Sequence, residues 1–153
     1  MRTIEVPGGP RLELAHLVLD VNGTLTNRGE LIDDVEAKLR SLRATLDVHL
    51  VSADTFGSLA RVASTLGVDS KLIADRAEKA VFVQELGPRH CAAIGNGAND
   101  TEMLRTAALG IAVIGPEGAA AATVAAADVV CLSIGDALGL LLDDQVLAAT
   151  LRP

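Results

Sequence analysis

The chain has 153 residues and half of them are hydrophobic, which suits one domain with one sizeable core and excludes a disordered tail. Thirteen basic against twenty acidic residues leave a net charge of −7, which argues against nucleic-acid and acidic-membrane partners; two phenylalanines, with no Trp or Tyr, exclude a base-stacking platform. No stretch offers about 18 consecutive strongly apolar residues, and the N-terminus lacks the apolar run of a signal peptide, so a cytoplasmic location is expected.

In chain order, TIEV and RLEL flank PGGP and are expected to pair as an N-terminal β-hairpin at a sheet edge. HLVLDV (16–21) reads as a buried strand, and NRGELIDD (27–34) as a small flap. Val35, Leu39, Leu42 and Leu46 share one face at helical spacing, which predicts a helix over 33–46. DVHLVS (47–52) is a strand, 55–67 a helix stopped by Gly67, and 70–74 a short strand. A helix over 76–87 ends at Gly87, with Pro88 just beyond. A strand over 90–95, a helix over 100–110 and a strand over 110–115 follow. PEGAAAATVAA is expected to be helical, with Pro116 in its first turn. A last strand covers 127–132, and one or two short helices close the chain.

This alternation predicts an α/β fold: a single three-layer α/β/α Rossmann-like domain over residues 1–153 with a mainly parallel sheet. The strands are near-continuous apolar runs, as expected where helices cover both faces. Cys91 and Cys131 lie in or beside such runs and are expected to be buried thiols; neither has a partner at zinc-site spacing. His16, His49 and His90 form no ligand pattern.

Ligands of open α/β sheets bind beyond the carboxyl ends of the strands. The first long strand ends at Asp20, in DVNGTLT; the second ends at Ser52, in VSAD; HCAAIG runs into NGAND, with Asn96, Asn99 and Asp100. Lys79 occupies the first turn of a helix whose preceding loop reaches the same rim. Each piece alone is ordinary: a strand-end Asp is usually a cap or turn residue, and a lone Lys is usually solvated. Four pieces far apart in sequence, in this order and on one rim, are not.

The set resembles the haloacid dehalogenase superfamily of phosphotransferases. DVNGTLT is similar to its first motif, DxDGTxT; Ser52 matches the second, Lys79 the third and GNGAND the fourth, usually GDGxND. The resemblance runs from about residue 16 to 142 and is nearest to the small soluble proteins related to the phosphorylation domain of P-type ATPases. It implies a Mg²⁺-dependent hydrolase or phosphatase in which Asp20 becomes an aspartyl phosphate. Catalytic roles fall to Asp20, Asn22 and Lys79. Phosphate contacts fall to Asn22, Gly23, Thr24, Ser52, Ala53, Lys79 and Asn99, and metal contacts to Asp20, Asn22, Asn96 and Asp100. A carboxylate can attack phosphorus once its repulsion with the phosphate is relieved; a hard cation and an ammonium supply that relief. Asp100 would orient Lys79, bind a metal-bound water, or both.

Two positions depart from the family pattern. Where phosphatases of the family carry a general acid, this chain has Asn22, whose amide does not titrate near neutral pH; losing such a group typically costs about 10²–10⁴-fold. Where they carry a metal-binding Asp, it has Asn96, which keeps an oxygen but no charge. Slow hydrolysis and a catalytically degenerate binding or regulatory role both remain open. The segments from the Asp20 loop to the strand ending at Ser52 and from Ser52 to Lys79 are too short for a cap domain. An uncapped site is expected to admit a phosphorylated small molecule or a phosphoprotein, and the resemblance to capless family members implies a homo-oligomer, dimer or tetramer.

Overall fold

The computed structural model describes residues 1–53, 57–73 and 75–153. Among the described residues six strands form one sheet in which every pairing is parallel. The first two strands stand apart from it: β1 (Arg2–Glu5) and β2 (Arg11–Leu14) pair antiparallel, the hairpin expected around PGGP. The central strand is β3 (His16–Asp20). A second small hairpin, β4 (Thr26–Asn27) and β5 (Glu30–Leu31), forms the flap. Its two-residue turn carries φ 51° at Arg28 and 86° at Gly29, the left-handed pair that matches the twist of tight hairpins.

Helix α1 (Val35–Leu42) leads to β6 (Asp47–Ser52), α2 (Leu59–Leu66) to β7 (Asp69–Leu72), and α3 (Arg76–Leu86) to β8 (Cys91–Gly95). Then come α4 (Thr101–Thr106), β9 (Leu109–Val113), α5 (Ala121–Ala126), β10 (Val129–Cys131), α6 (Ile134–Leu142) and α7 (Asp144–Leu151). The sheet order is β10-β9-β8-β3-β6-β7. From β3 the chain first builds towards β7, then crosses back to lay β8, β9 and β10 on the other side. The point where the order reverses, between β3 and β8, opens a crevice at the carboxyl edge.

Side-chain alternation along the strands divides the core. Leu17, Leu19, Leu50, Ala92, Ile94, Ile111 and Val113 face α1, α2, α6 and α7. Val18, Val51, Cys91, Ala93 and Ala112 face α3, α4 and α5, where Val83, Met103 and Leu104 pack. Both faces are therefore covered, which explains why the strands read as unbroken apolar runs. Both cysteines are free and buried. His16 and His49 lie against each other at 3.3 Å near the amino edge of the sheet, away from the crevice. No helix among the described residues is long and apolar enough to cross a membrane.

The differences from the sequence expectation lie at element ends. The expected helix over 100–110 stops at Thr106, and the following Ala-Ala-Leu feeds β9. PEGAAAATVAA is helical only over Ala121–Ala126; Gly115 (φ 54°) and Gly118 (φ 73°) turn the segment before it. Left-handed glycines on either side of Pro116 and Glu117 favour a reverse turn over helix initiation. The expected helix start at Thr55 and strand end at Ala74 lie outside the described residues.

Candidate active site

Asp20 is the last residue of β3, where the flanking strands hold its backbone in register with Val51 of β6. The residue is buried, at 5% exposed. Lys79 reaches it from the first turn of α3, a helix started by Asp75, whose carboxylate accepts from the N–H groups of Ala77 and Glu78. The Lys79 ammonium donates to Asp20 Oδ1 at 2.7 Å and to Asp100 Oδ1 at 2.6 Å. Both Lys79 and Asp100 are essentially sealed from solvent, at 1% and 0%.

Asp100 is held in turn by the loop that precedes it. Its Oδ2 accepts from the backbone N–H groups of Asn96 (3.0 Å) and Gly97 (2.9 Å). The carboxylate folds back over Gly95, where a Cβ would stand only 2.5 Å from Asp100 Cγ. Only glycine fits there, which gives the first Gly of GNGAND a packing reason. With both oxygens engaged, Asp100 is placed to orient Lys79.

Thr24 is fully buried, and its hydroxyl donates to Asp20 Oδ2 at 2.9 Å, with Asn96 Oδ1 at 3.2 Å. Asn22 spans two hydroxyls: its Nδ2 donates to Ser52 Oγ at 3.2 Å, and its Oδ1 accepts from Ser58 Oγ at 3.1 Å. Gly23 holds φ 78°, a left-handed conformation that turns the chain between Asp20 and Thr24.

An open pocket of about 280 Å³ is lined by Asp20, Asn22, Ser52, Ala53, Asn96, Gly97, Asn99 and Glu117. Of the residues the sequence singled out, Asp20, Asn22, Ser52, Ala53, Asn96 and Asn99 line it. Lys79, Asp100 and Thr24 stand behind Asp20 as a buried supporting layer. Larger hollows exist, including one of about 810 Å³ between β2 and the Pro88–His90 turn, but Asp20, Ser52 and Asn96 do not line it. Sequence reasoning missed Ser58 and Glu117. Ser58 carries no motif signal. Glu117 follows the strand expected over 110–115, so the rule that strand ends line the ligand crevice was the signal available for it.

Two carboxylates share one ammonium, so the buried cluster holds surplus negative charge. Burial, and then the neighbouring Asp100, push the Asp20 carboxyl up to about 7, against the pull of Lys79 and the Thr24 hydroxyl. Burial alone would lower Lys79, but Asp20 and Asp100 more than offset it and hold the ammonium above its ordinary value. The side chains lining the pocket offer oxygen donors and neither His nor Cys. Excess negative charge and a hard donor set fit a Mg²⁺-type cation, which Asp20 and Asn96, both in the pocket lining, would hold.

A family model described as haloacid dehalogenase-like hydrolase matches residues 53–137. An uncharacterized protein of Methanocaldococcus jannaschii is 53% identical over 60 residues, a match that covers 39% of this chain and 64% of that protein, less than two thirds of its length. Among solved structures, the cobalt-bound deoxy-D-mannose-octulosonate 8-phosphate phosphatase of Haemophilus influenzae superposes with a TM-score of 0.72 at 16% identity, covering 92% of this chain and 94% of that one. The 3-deoxy-D-manno-octulosonate 8-phosphate phosphatase of Moraxella catarrhalis, in complex with magnesium ion, phosphate ion and a KDO molecule, gives 0.68 at 21% identity, covering 91% and 94%. The catalytic domain of the CPx-ATPase CopB-B gives 0.64 at 20% identity, covering 74% and 46%. At these identities the structural likeness is one of fold.

Proposed function

The chain belongs to the haloacid dehalogenase-like hydrolases, and from that premise we propose that it is a Mg²⁺-dependent phosphohydrolase acting through an aspartyl phosphate on Asp20. The observation that carries the reading is the Lys79 ammonium fixed between Asp20 and Asp100 at the edge of an open polar pocket. Asp20 is the nucleophile: a carboxylate oxygen attacks phosphorus, the bond to the leaving oxygen breaks, and the phosphoryl group rests on Asp20. Water then attacks that phosphorus, releases inorganic phosphate and restores the carboxylate. Lys79 stays charged throughout and stabilises the developing oxyanions, while Asp100 keeps it in place. Asn22, Gly23, Ser52, Ala53 and Asn99 surround the incoming phosphate with donors and with close backbone, while Thr24 fixes the Asp20 carboxylate from behind. A cation held by Asp20, Asn96 and the Asn22 carbonyl would neutralise phosphate charge.

Asn22 sets the character of the reaction. Held between Ser52 and Ser58, it has no proton to give a departing alkoxide. Substrates that leave well without protonation, acyl and aryl phosphates, are therefore favoured over alkyl phosphates. The experiment is a phosphate-release screen with millimolar Mg²⁺ over acetyl phosphate, p-nitrophenyl phosphate, sugar phosphates, nucleotides and phosphopeptides. Release that rises as the leaving group becomes more acidic supports the reading; no release above the Asp20→Asn background contradicts it. The two asparagines also favour a second reading, a phosphate- or metal-binding regulatory protein. It predicts saturable phosphate binding with no turnover.

Among the described residues no cap covers the pocket, and its natural substrate is a phosphorylated small molecule or a phosphoprotein. Assembly into a dimer or tetramer would supply the missing cover. Light scattering should then give a multiple of the 15.7 kDa chain mass, and a strict monomer would remove this part of the proposal.

A further inference from the structure

We propose that Glu117 supplies the anionic contact to the divalent cation that Asn96 lacks, so that one charge of the site has moved from the loop after β8 to the loop after β9. This inference rests on the cation-dependent reading above. Glu117 lies in the turn set by the left-handed Gly115 and Gly118, and its side chain lines the pocket with Asp20 and Asn96. Its carboxylate stands against the Cα of Gly23, where a Cβ would overlap it. The Asn96 amide nitrogen lies 2.9 Å from that same point. Glu117 and Asn96 thus converge on the turn that follows Asp20. Among the described residues, the Glu117 carboxylate accepts no hydrogen bond and joins no ion pair.

The loss at Asn96 and the gain at Glu117 are linked by a hydrogen bond. Asn96 Nδ2 donates to the Gly118 carbonyl at 3.0 Å, and the Asn96 carbonyl accepts from Ala120 N–H at 2.9 Å. These bonds hold the Gly115–Ala120 segment against the pocket. An ionised aspartate at 96 could not donate to Gly118 and would face that carbonyl with like charge. The amide that removes one charge anchors the loop that carries the replacement.

The test is a Mn²⁺ titration of the full chain followed by electron paramagnetic resonance of the free ion, on the wild type and Glu117→Gln. Weakening of about tenfold is expected, as for losing a group that supports a metal site. Glu117 is exposed, so the metal-free melting temperature should not change. Equal Mn²⁺ affinity in the two proteins, or no Mn²⁺ binding by the wild type, would overturn the inference. Phosphate release is scored separately. A wild type that binds Mn²⁺ through Glu117 but hydrolyses nothing leaves the inference standing and removes the phosphohydrolase reading. A wild type that hydrolyses with Mg²⁺ while Glu117→Gln binds Mn²⁺ unchanged does the reverse.

Discussion

Asp20 is costly to the fold that holds it. In the unfolded chain its carboxyl titrates near 3.8, whereas in the native protein it is raised to about 7. Between those values the native state binds the extra proton, so this residue's contribution to stability falls as pH rises through that window, and the whole cost is present above it. Asp20→Asn should therefore melt higher than the wild type at pH 8 without metal, by about 2–4 °C for each kcal/mol recovered at this size. The gap should narrow as pH falls from 7 towards 3.8 and close below about pH 3, where the wild-type carboxyl is protonated in both states. A variant that melts lower at pH 8 would refute the surplus-charge description. Lys79→Met is the opposite case. It leaves Asp20 and Asp100 buried without their cation and should lose about 3–5 kcal/mol in urea unfolding at neutral pH. Asn22→Asp should fold normally, because both partners of Asn22 are hydroxyls that can donate to a carboxylate. It should raise turnover on alkyl phosphates by about 10²-fold. The Asp20, Lys79 and Asp100 cluster was legible in sequence because Asp20 ends a strand, Asp100 sits in the loop after one, and Lys79 lies in the first turn of a helix whose preceding loop reaches the same rim. Thr24 was legible only as part of a motif, and its contact with Asp20 needed coordinates.

At the scale of elements, the loop between β8 and α4 does more than carry ligands. Its backbone N–H groups hold Asp100, and the missing side chain at Gly95 makes room for that carboxylate. Gly95→Ala should push Asp100 off Lys79 and reduce phosphate release towards the Asp20→Asn level. Its circular dichroism should stay native-like, since β8 is otherwise unchanged; wild-type activity would show that the Asp100 placement does not matter. The strands and α1, α2 and α3 were readable because burial on one face imposes a period, and period is what sequence displays. The segment from Pro116 to Ala120 was misread as helix. Alanine content favours helix, but two left-handed glycines impose a turn that brings Glu117 over Gly23. Local propensity carried no trace of that long-range contact, which the neighbouring loop and the Asn96 amide create.

At the scale of the molecule, the parallel sheet turns scattered residues into a site. Reversal of strand order beside β3 places Asp20, Ser52 and Asn96 around one crevice, although β6 lies on one side of β3 and β8 on the other. That topology was inferable from alternating strands and helices; strand order was not, because nothing in an apolar run names its neighbour. The proposed role of this crevice is to place a phosphoryl group on Asp20. The most direct measurement is to incubate the protein with Mg²⁺ and acetyl phosphate, quench in acid and map the modified peptide by mass spectrometry. A phosphoryl group on Asp20 of the wild type, absent from Asp20→Asn, is the predicted result. Phosphate release from the wild type that continues undiminished in Asp20→Asn would contradict it.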